Sequence, residues 1–467
     1  MRVHIGFDVG TTNTKCLVLA EDSSILCLNK VKTPKTRFKE EEFFDINQLE
    51  AFIDATILEL SKKYQITSIG FSTIGESVVP IRNGRAVFNA PLWNAFSVTS
   101  TEEERSKISL SAKPELIGTA DNTLFSVHKI LWMKRNIPEC STADLYLPLS
   151  SYFCYRKTGN AAWDYSQAAR SGMFDVRNRC WISSILSEFD IALPEQILPM
   201  GSALGSADGI VYGLGGHDHI VGFFGIERIL SSAGKEIYYS SMGTSEVLAT
   251  IVPSSSVSEI SPSRKSYISP SFTPSSYIAT RSFRAFGSML KCIMNISGYN
   301  DDFDSMNDEI DHLSSDYAAC LFSQDGDFIS DGLIPDKLYI SELNRTASKA
   351  ELAEAAYLYL SSVTELMRSD LQCTFSLAED FIFVAGGKIV ENGVFMKYLA
   401  TAINHPVSLL ETEEISALGA ALVGVSAYSD KDLRRICSLF KTRIVDPDPE
   451  LRRLCENTID RYRNIKL

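Results

Sequence analysis

The sequence predicts an α/β protein assembled from more than one domain, and three observations carry that prediction. Runs with strand periodicity alternate with runs of helical periodicity along most of the chain. At 467 residues the chain exceeds what one hydrophobic core ordinarily serves, so two to three domains are expected. One local pattern, a strand, a Gly-Thr turn and a second strand, occurs twice, at Gly10-Thr11 and again at Gly243-Thr244, which suggests two related domains facing one another.

The elements follow in order. Val3, Ile5 and Phe7 alternate with small or polar residues, Asp8-Val9-Gly10-Thr11-Thr12 breaks the run, and Cys16-Leu17-Val18-Leu19 resumes it. Leu49, Phe52, Ile53, Ile57 and Leu60 recur at three- and four-residue steps, the stripe of an amphipathic helix. Ile66 to Ile74 reads as a strand ending at Gly75-Glu76. The stretch Tyr212 to His219 is glycine-rich between apolar flanks, and the junction of the two domains is placed just after it, near Gly225. That division gives residues 1–225 and 226–467. Ile237 to Met242 then leads into Gly243-Thr244-Ser245, and Val247 to Val252 returns as a strand. Residues 253–276 are dense in Ser and Pro and read as a surface excursion. A helical stripe runs from Leu352 to Met367, and Phe381 to Val384 is a buried-type strand ending in Ala385-Gly386-Gly387. Helix resumes from Phe395, and Ile415 to Val425 is a helix rich in Ala and Gly, suited to close packing.

Composition narrows the function classes. A hydrophobic content of 45% with 22% charged residues describes a globular chain with sizeable cores. The net charge of −13 argues against nucleic acid or an anionic membrane surface as the main partner. The opening MRVHIGFDVGTT meets a charge and a glycine turn within ten residues, unlike a signal peptide. The longest apolar stretch, around Ala417 to Val425, is about half of the roughly 20 residues that a membrane span requires. The ten cysteines are scattered, with no CxxC pair and no Cys/His ligand cluster, and read as reduced, mostly buried thiols of a cytosolic protein.

Asp8-Val9-Gly10-Thr11-Thr12-Asn13-Thr14-Lys15 is the most informative stretch. A tight glycine turn lets backbone approach phosphate oxygens, consecutive N–H groups form an anion-binding concavity, and the Thr hydroxyls and Lys15 add donors and charge. Asp8, at the end of a strand, is placed to hold Mg²⁺ through water, since that ion favours few carboxylates and keeps several waters. The plainer reading is a hairpin turn closed by Asp and Thr side chains. No GxxxxGK[ST] run occurs, so this is not a P-loop protein. Gly386-Gly387, between a buried strand and a helix, either brings backbone close to adenine or ribose or is an ordinary strand-to-helix turn. For His217-Asp218-His219 a metal cluster or a structural turn is open. On an extended segment, however, residues i and i+2 point one way and i+1 the other, so the three would rarely converge.

The Asp8 to Lys15 string resembles the first phosphate-binding hairpin of the sugar kinase, actin and heat-shock chaperone ATPase superfamily, and within it the FGGY carbohydrate kinases. Lys129-Ile130-Leu131-Trp132-Met133-Lys134 is similar to that family's helix in the first domain, and Asp164 to Asp175 to the segment before its hinge region. Gly243-Thr244-Ser245 resembles its second phosphate hairpin and Gly386-Gly387 its adenosine site, all in the family's order. The resemblance implies two ribonuclease-H-like domains of the actin/hexokinase type with an ATP cleft between them. ATP would lie mostly on the C-terminal domain and the sugar mostly on the N-terminal one. It implies ATP and Mg²⁺ as cofactors and phosphorylation of a hydroxyl on a small sugar or polyol, with a ketose such as xylulose as the leading acceptor.

Residue by residue, the same resemblance makes Asp218, in Gly216-His217-Asp218-His219, the general base and a substrate contact. Gly10, Thr11, Thr12, Lys15, Gly243 and Thr244 would line the phosphates, Gly386, Gly387 and Asn392 the nucleoside, and Asp8 the metal. Glu76, Trp93 and Asn94 would meet the acceptor, with a core aromatic as the other reading of Trp93. Much of the family follows that Trp with a pattern containing Asp and Arg. Here Asn94-Ala95-Phe96-Ser97-Val98 stands instead, removing an expected charged contact. An acceptor-independent ATPase and a catalytically silent sugar or nucleotide sensor on the same fold are the rival readings. The partner expected is a small sugar or polyol, with no nucleic acid and no membrane, in the cytoplasm; a homodimer is left open.

Overall fold

Two mixed sheets organise the chain, and the computed structural model describes residues 1–120, 122–257, 267–273, 275–283, 285–314, 316–324 and 338–465 of it. The first sheet runs, edge to edge, Ala203–Ala207, Ile210–His217, Gln65–Thr73, Arg2–Val9, Asn13–Ala20 and Ile25–Lys32. Arg2–Val9 pairs antiparallel with its hairpin partner and parallel with Gln65–Thr73, which pairs parallel with Ile210–His217. The second sheet repeats this plan. Glu236–Met242 forms a hairpin with Glu246–Pro253 and pairs parallel with Phe381–Gly386, which pairs parallel with Val407–Leu410. Thr442–Val445 closes one edge; Ser276–Phe283 and then Tyr267–Pro270 close the other. Both sheets therefore carry the hairpin-plus-parallel-strand order of a ribonuclease-H-like core.

The period-2 residues of the first strand explain its position, since every residue from Val3 to Val9 is buried. Both faces of the strand are covered, as expected of a strand inside a layered α/β sheet. Its register sets Asp8 opposite Lys15, so the turn delivers an acid and a base side by side at the end of the sheet.

What covers one face is the Ala- and Gly-rich helix Ile415–Tyr428, which comes from the far end of the chain. Gly6, Gly70 and Gly213 are register partners on three adjacent strands and form a smooth stripe beneath it. A Cβ on Gly6 would lie 2.0 Å from Ala417 O, and one on Gly70 2.1 Å from Ala420 O. The helix is buried on nearly every face from Ile415 to Val425, which fits its uniformly apolar sequence. On its other side it crosses the helix Asp218–Leu230, where Gly419 leaves room for the Val221 carbonyl. These two helices and facing residues of both sheets form one apolar cluster, distinct from the cores of the two halves.

Part of the Ser/Pro-rich excursion, 258–266 and 274, lies outside the described residues. The rest departs from expectation. Tyr267–Pro270 is an edge strand of the second sheet, Ile268 is buried, and its N–H bonds the carbonyl of Gly118 in the other half at 3.0 Å. Four residues of strand within dense Ser and Pro carry too little periodicity to be seen. Among the described residues no helix is long and apolar enough to cross a membrane.

Candidate active site

Both Gly-Thr turns open onto one cleft of about 590 Å³ between the sheets. Each turn is closed by its own backbone, Gly10 N–H donating to Asn13 O at 3.1 Å and Gly243 N–H to Ser245 O at 2.9 Å. The first is braced further by Thr33, whose hydroxyl donates to Gly10 O at 2.7 Å. The tips, with Thr12, Gly243 and Thr244 exposed, are thus rigid but open to the cleft.

Three carboxylates converge behind the first turn. Asp8 is buried, accepts a 2.8 Å hydrogen bond from the Ser72 hydroxyl, and its second oxygen lies 3.4 Å from Lys15 Nζ. Burial, aided by Asp218 and Glu414, pushes its pKa up to about 6, against the pull of Lys15 and Ser72. Lys15 also pairs with Glu414, the buried residue immediately before the helix Ile415–Tyr428. Burial works against the Lys15 charge, but Asp8 and Glu414 outweigh it and raise its pKa. The ammonium is therefore shared between two carboxylates, a geometry in which Lys15 fixes Asp8 as well as adding positive charge to the cleft. Asp8 offers one cleft-facing carboxylate among hydroxyl donors, a donor set that fits Mg²⁺ held largely through water.

Asp218 opens the helix Asp218–Leu230, and its Oδ1 accepts the N–H of His219 at 2.8 Å. The strand before it is anchored by a buried relay. Asp164 accepts from the Ser166 hydroxyl at 2.5 Å, and that oxygen in turn accepts the His217 N–H at 2.9 Å. Burial raises the Asp164 pKa to about 7 and lowers that of His217 to about 3, so the His217 imidazole is neutral. Contrary to the expectation from extended geometry, one ligand atom from each of His217, Asp218 and His219 falls within 4.8 Å of the others. The reason is local: the strand ends at His217 and the helix begins at Asp218, so alternation stops between them.

Next to Gly75, where a Cβ would lie 2.9 Å from the His217 ring, Glu76 is buried in the left-handed region, φ 60°, an uncommon conformation for a non-glycine residue. Its Oε1 lies 2.5 Å from Arg170 Nε, and the Arg170 guanidinium sits over the Tyr267 ring, 4.3 Å from its centroid. Lys129, fully buried nearby, donates to the Trp93 carbonyl at 3.0 Å, and burial drives its pKa down to about 7. Trp93 is half-buried, packing on the core with one side and lining the cleft with the other, while Asn94 is exposed at the rim.

Residues 3–208, which supply the first turn, Glu76, Trp93 and Arg170, match the N-terminal domain of the FGGY family of carbohydrate kinases. Over that stretch, a little under half of its length, the chain is similar to the FGGY carbohydrate kinases. A glycerol kinase of Thermococcus kodakarensis is 26% identical over 208 residues, 42% of this chain and 41% of that protein. The chain thus aligns with about two fifths of that relative. A xylulose kinase of Haemophilus influenzae is 23% identical over 94% of this chain and 93% of its own. Among solved structures, a xylulose kinase from Rhodospirillum rubrum superposes with a TM-score of 0.83 at 16% identity, covering 99% of this chain and 98% of that one. That likeness shows the two-domain fold.

The cleft gathers most of the residues singled out from sequence: Asp8, the two turns, Lys15, Glu76, Trp93, Asn94 and Asp218 all line it. Gly386, Gly387 and Asn392 are not part of its lining. Gly386 pairs with Ser241, one strand away from the cleft wall. Gly387, at φ 100°, passes so close to Met242 that a Cβ would lie 2.0 Å from its carbonyl oxygen. The Asn392 side chain caps the helix Gly393–Ile403 through Phe395 N–H at 3.0 Å and donates to the Tyr357 hydroxyl at 2.5 Å, so its polar atoms are engaged in the fold. Sequence reasoning left out Arg170, Tyr267, Lys129 and Glu414. Arg170 sits within the family-like segment 164–175 and Lys129 opens the family-like helix 129–134, and these are the local signals available.

Proposed function

We propose that the chain transfers the γ-phosphoryl group of ATP to a hydroxyl of a small sugar or polyol. The observation that carries this reading is that both Gly-Thr turns and the Asp218 carboxylate line a single cleft. In the reaction the acceptor oxygen bonds to the γ-phosphorus, the bond from that phosphorus to the β–γ bridging oxygen breaks, ADP departs, and the hydroxyl proton passes to Asp218. Such transfer depends on positioning and on charge stabilisation more than on covalent participation by the protein. Gly10, Thr11, Thr12, Gly243 and Thr244 bind the phosphate tail. The nucleoside extends past the Gly386-Gly387 turn, while Asn392 supports that wall from within. Asp8 holds Mg²⁺, which supplies charge neutralisation at the phosphates when bound, and Lys15 with Ser72 keeps Asp8 oriented.

Residues 1–225 carry acceptor and base and 226–467 the nucleotide, with closure of the halves excluding water. Glu76, steered by Arg170, and Trp93 with Asn94 form the acceptor end. A ketose such as xylulose is the leading acceptor, in keeping with the xylulose kinase that aligns over nearly the whole length. The cytoplasm is the compartment in keeping with ten unbonded thiols.

Asp218→Asn tests the reading. Loss of a positioned base lowers kcat by roughly a hundred- to ten-thousand-fold. Sugar-dependent ATP turnover near the wild-type rate in that variant removes Asp218 from the role.

A further inference from the structure

Three side chains at the catalytic end of the cleft are arranged as ligands. The Nε2 atoms of His217 and His219 both face Asp218 Oδ1, at 3.4 and 3.9 Å. In a tetrahedral site with metal bonds of about 2.0–2.1 Å, neighbouring ligand atoms stand roughly 3.4 Å apart, so small rotamer adjustments close the set. The two imidazoles, 5.2 Å between centroids and 70° between planes, approach from different directions. His219 is oriented from behind: its Nδ1 shares a 2.9 Å hydrogen bond with the Ser241 hydroxyl, leaving Nε2 as the atom presented to the cleft. An outer partner of this kind is what ligating histidines have. The His217 backbone is pinned by Ser166 as described, so the cluster is held from both halves of the chain.

We propose that His217, Asp218 and His219 form a site for a borderline divalent transition ion such as Zn²⁺ or Co²⁺, and that filling it takes Asp218 out of service as a base. Two imidazole nitrogens with one carboxylate select such ions over Mg²⁺, which prefers oxygen donors and retains its waters. The cleft then sorts two cations by chemistry, Mg²⁺ at Asp8 and a transition ion at the His-Asp-His cluster. Metal binding stands on the geometry alone; the inhibition rests on the phosphotransfer reading, and the two are separated by measuring binding without nucleotide or sugar.

The test is a calorimetric titration of Zn²⁺ into the metal-stripped full chain, with the exposed thiols of Cys180, Cys292 and Cys373 blocked by iodoacetamide. One saturable equivalent is expected, weakened roughly tenfold or more in His217→Asn and His219→Asn and undisturbed by excess Mg²⁺. A Co²⁺ titration should show ligand-field bands without a thiolate charge-transfer band. Absence of saturable binding, equal affinity in the folded variants, or a thiolate band overturns the proposal. Should either variant misfold by circular dichroism, diethylpyrocarbonate modification of the wild type decides: Zn²⁺ protects His217 and His219 but not the exposed His312. Unprotected cleft histidines sink it.

Discussion

At the scale of single residues, the cleft and the strands behind it hold ionisable groups placed where burial opposes their charge. Glu246, the first residue beyond the second turn, is fully buried and accepts hydrogen bonds from the Ser240 and Thr364 hydroxyls at 2.6 and 2.9 Å. Burial raises its pKa to about 7 despite those donors. The folded chain therefore keeps a proton there that the unfolded chain releases from about pH 4 upward, so this group weakens the fold as pH rises from about 4.5 to about 7. Urea unfolding of wild type and Glu246→Gln should show the variant lacking that part of the slope, a difference on the order of 3 kcal/mol across the window. Identical pH profiles would mean that Glu246 is ionised in the fold. The residue scale is also where the sequence spoke least clearly. Glu76 was visible at the end of its strand, but its partner Arg170 is 94 positions away, and Tyr267 sits in a short strand hidden by Ser and Pro. Neither meeting leaves a local trace.

At the scale of elements, the two hairpins were legible because everything that makes them is local: alternation, a Gly-Thr break, alternation again. The glycine stripe was not, although the small residues of Ile415–Tyr428 announced close packing. Nothing near Gly70 says that a helix more than three hundred positions away will rest on it. The stripe has a sharp consequence. Gly70→Ala drives a methyl into the backbone of that helix, where Ala420 O would stand 2.1 Å away. Because backbone has no rotamer with which to yield, the loss of stability should reach about 3 kcal/mol or more. Gly393→Ala, at the start of a helix with nothing within 4 Å of the new Cβ, should be neutral or stabilising by up to about 1 kcal/mol. Comparable denaturation midpoints for the two variants would show that the sheet and helix are not in close contact. The His-Asp-His convergence belongs to this scale too. The alternation expected of an extended segment does not apply there, because strand passes directly into helix between His217 and Asp218.

At the scale of the whole molecule, the two halves are interlocked rather than strung together. Helix Ile415–Tyr428 belongs by sequence to the second half yet lies on the first sheet, and its start touches both functional ends. Glu414 pairs with Lys15, and the Ser416 hydroxyl donates to the Asp218 carbonyl at 3.3 Å. The turns that would hold a phosphate tail and the carboxylate that would take a proton are thereby referenced to one rigid rod. The order of motifs along the chain was enough to anticipate the fold and the cleft, because that order reflects the topology of the duplicated sheet. The acceptor escapes the same logic, since it depends on side chains that meet only after folding.

The most direct measurement is ADP release in a coupled assay with Mg²⁺ and ATP across neutral polyols, ketopentoses, other ketoses and sugar acids. The account predicts negligible turnover without acceptor and strong stimulation by one narrow class, abolished in Asp218→Asn. Turnover indifferent to every acceptor, or binding of sugar with no turnover at all, would contradict it.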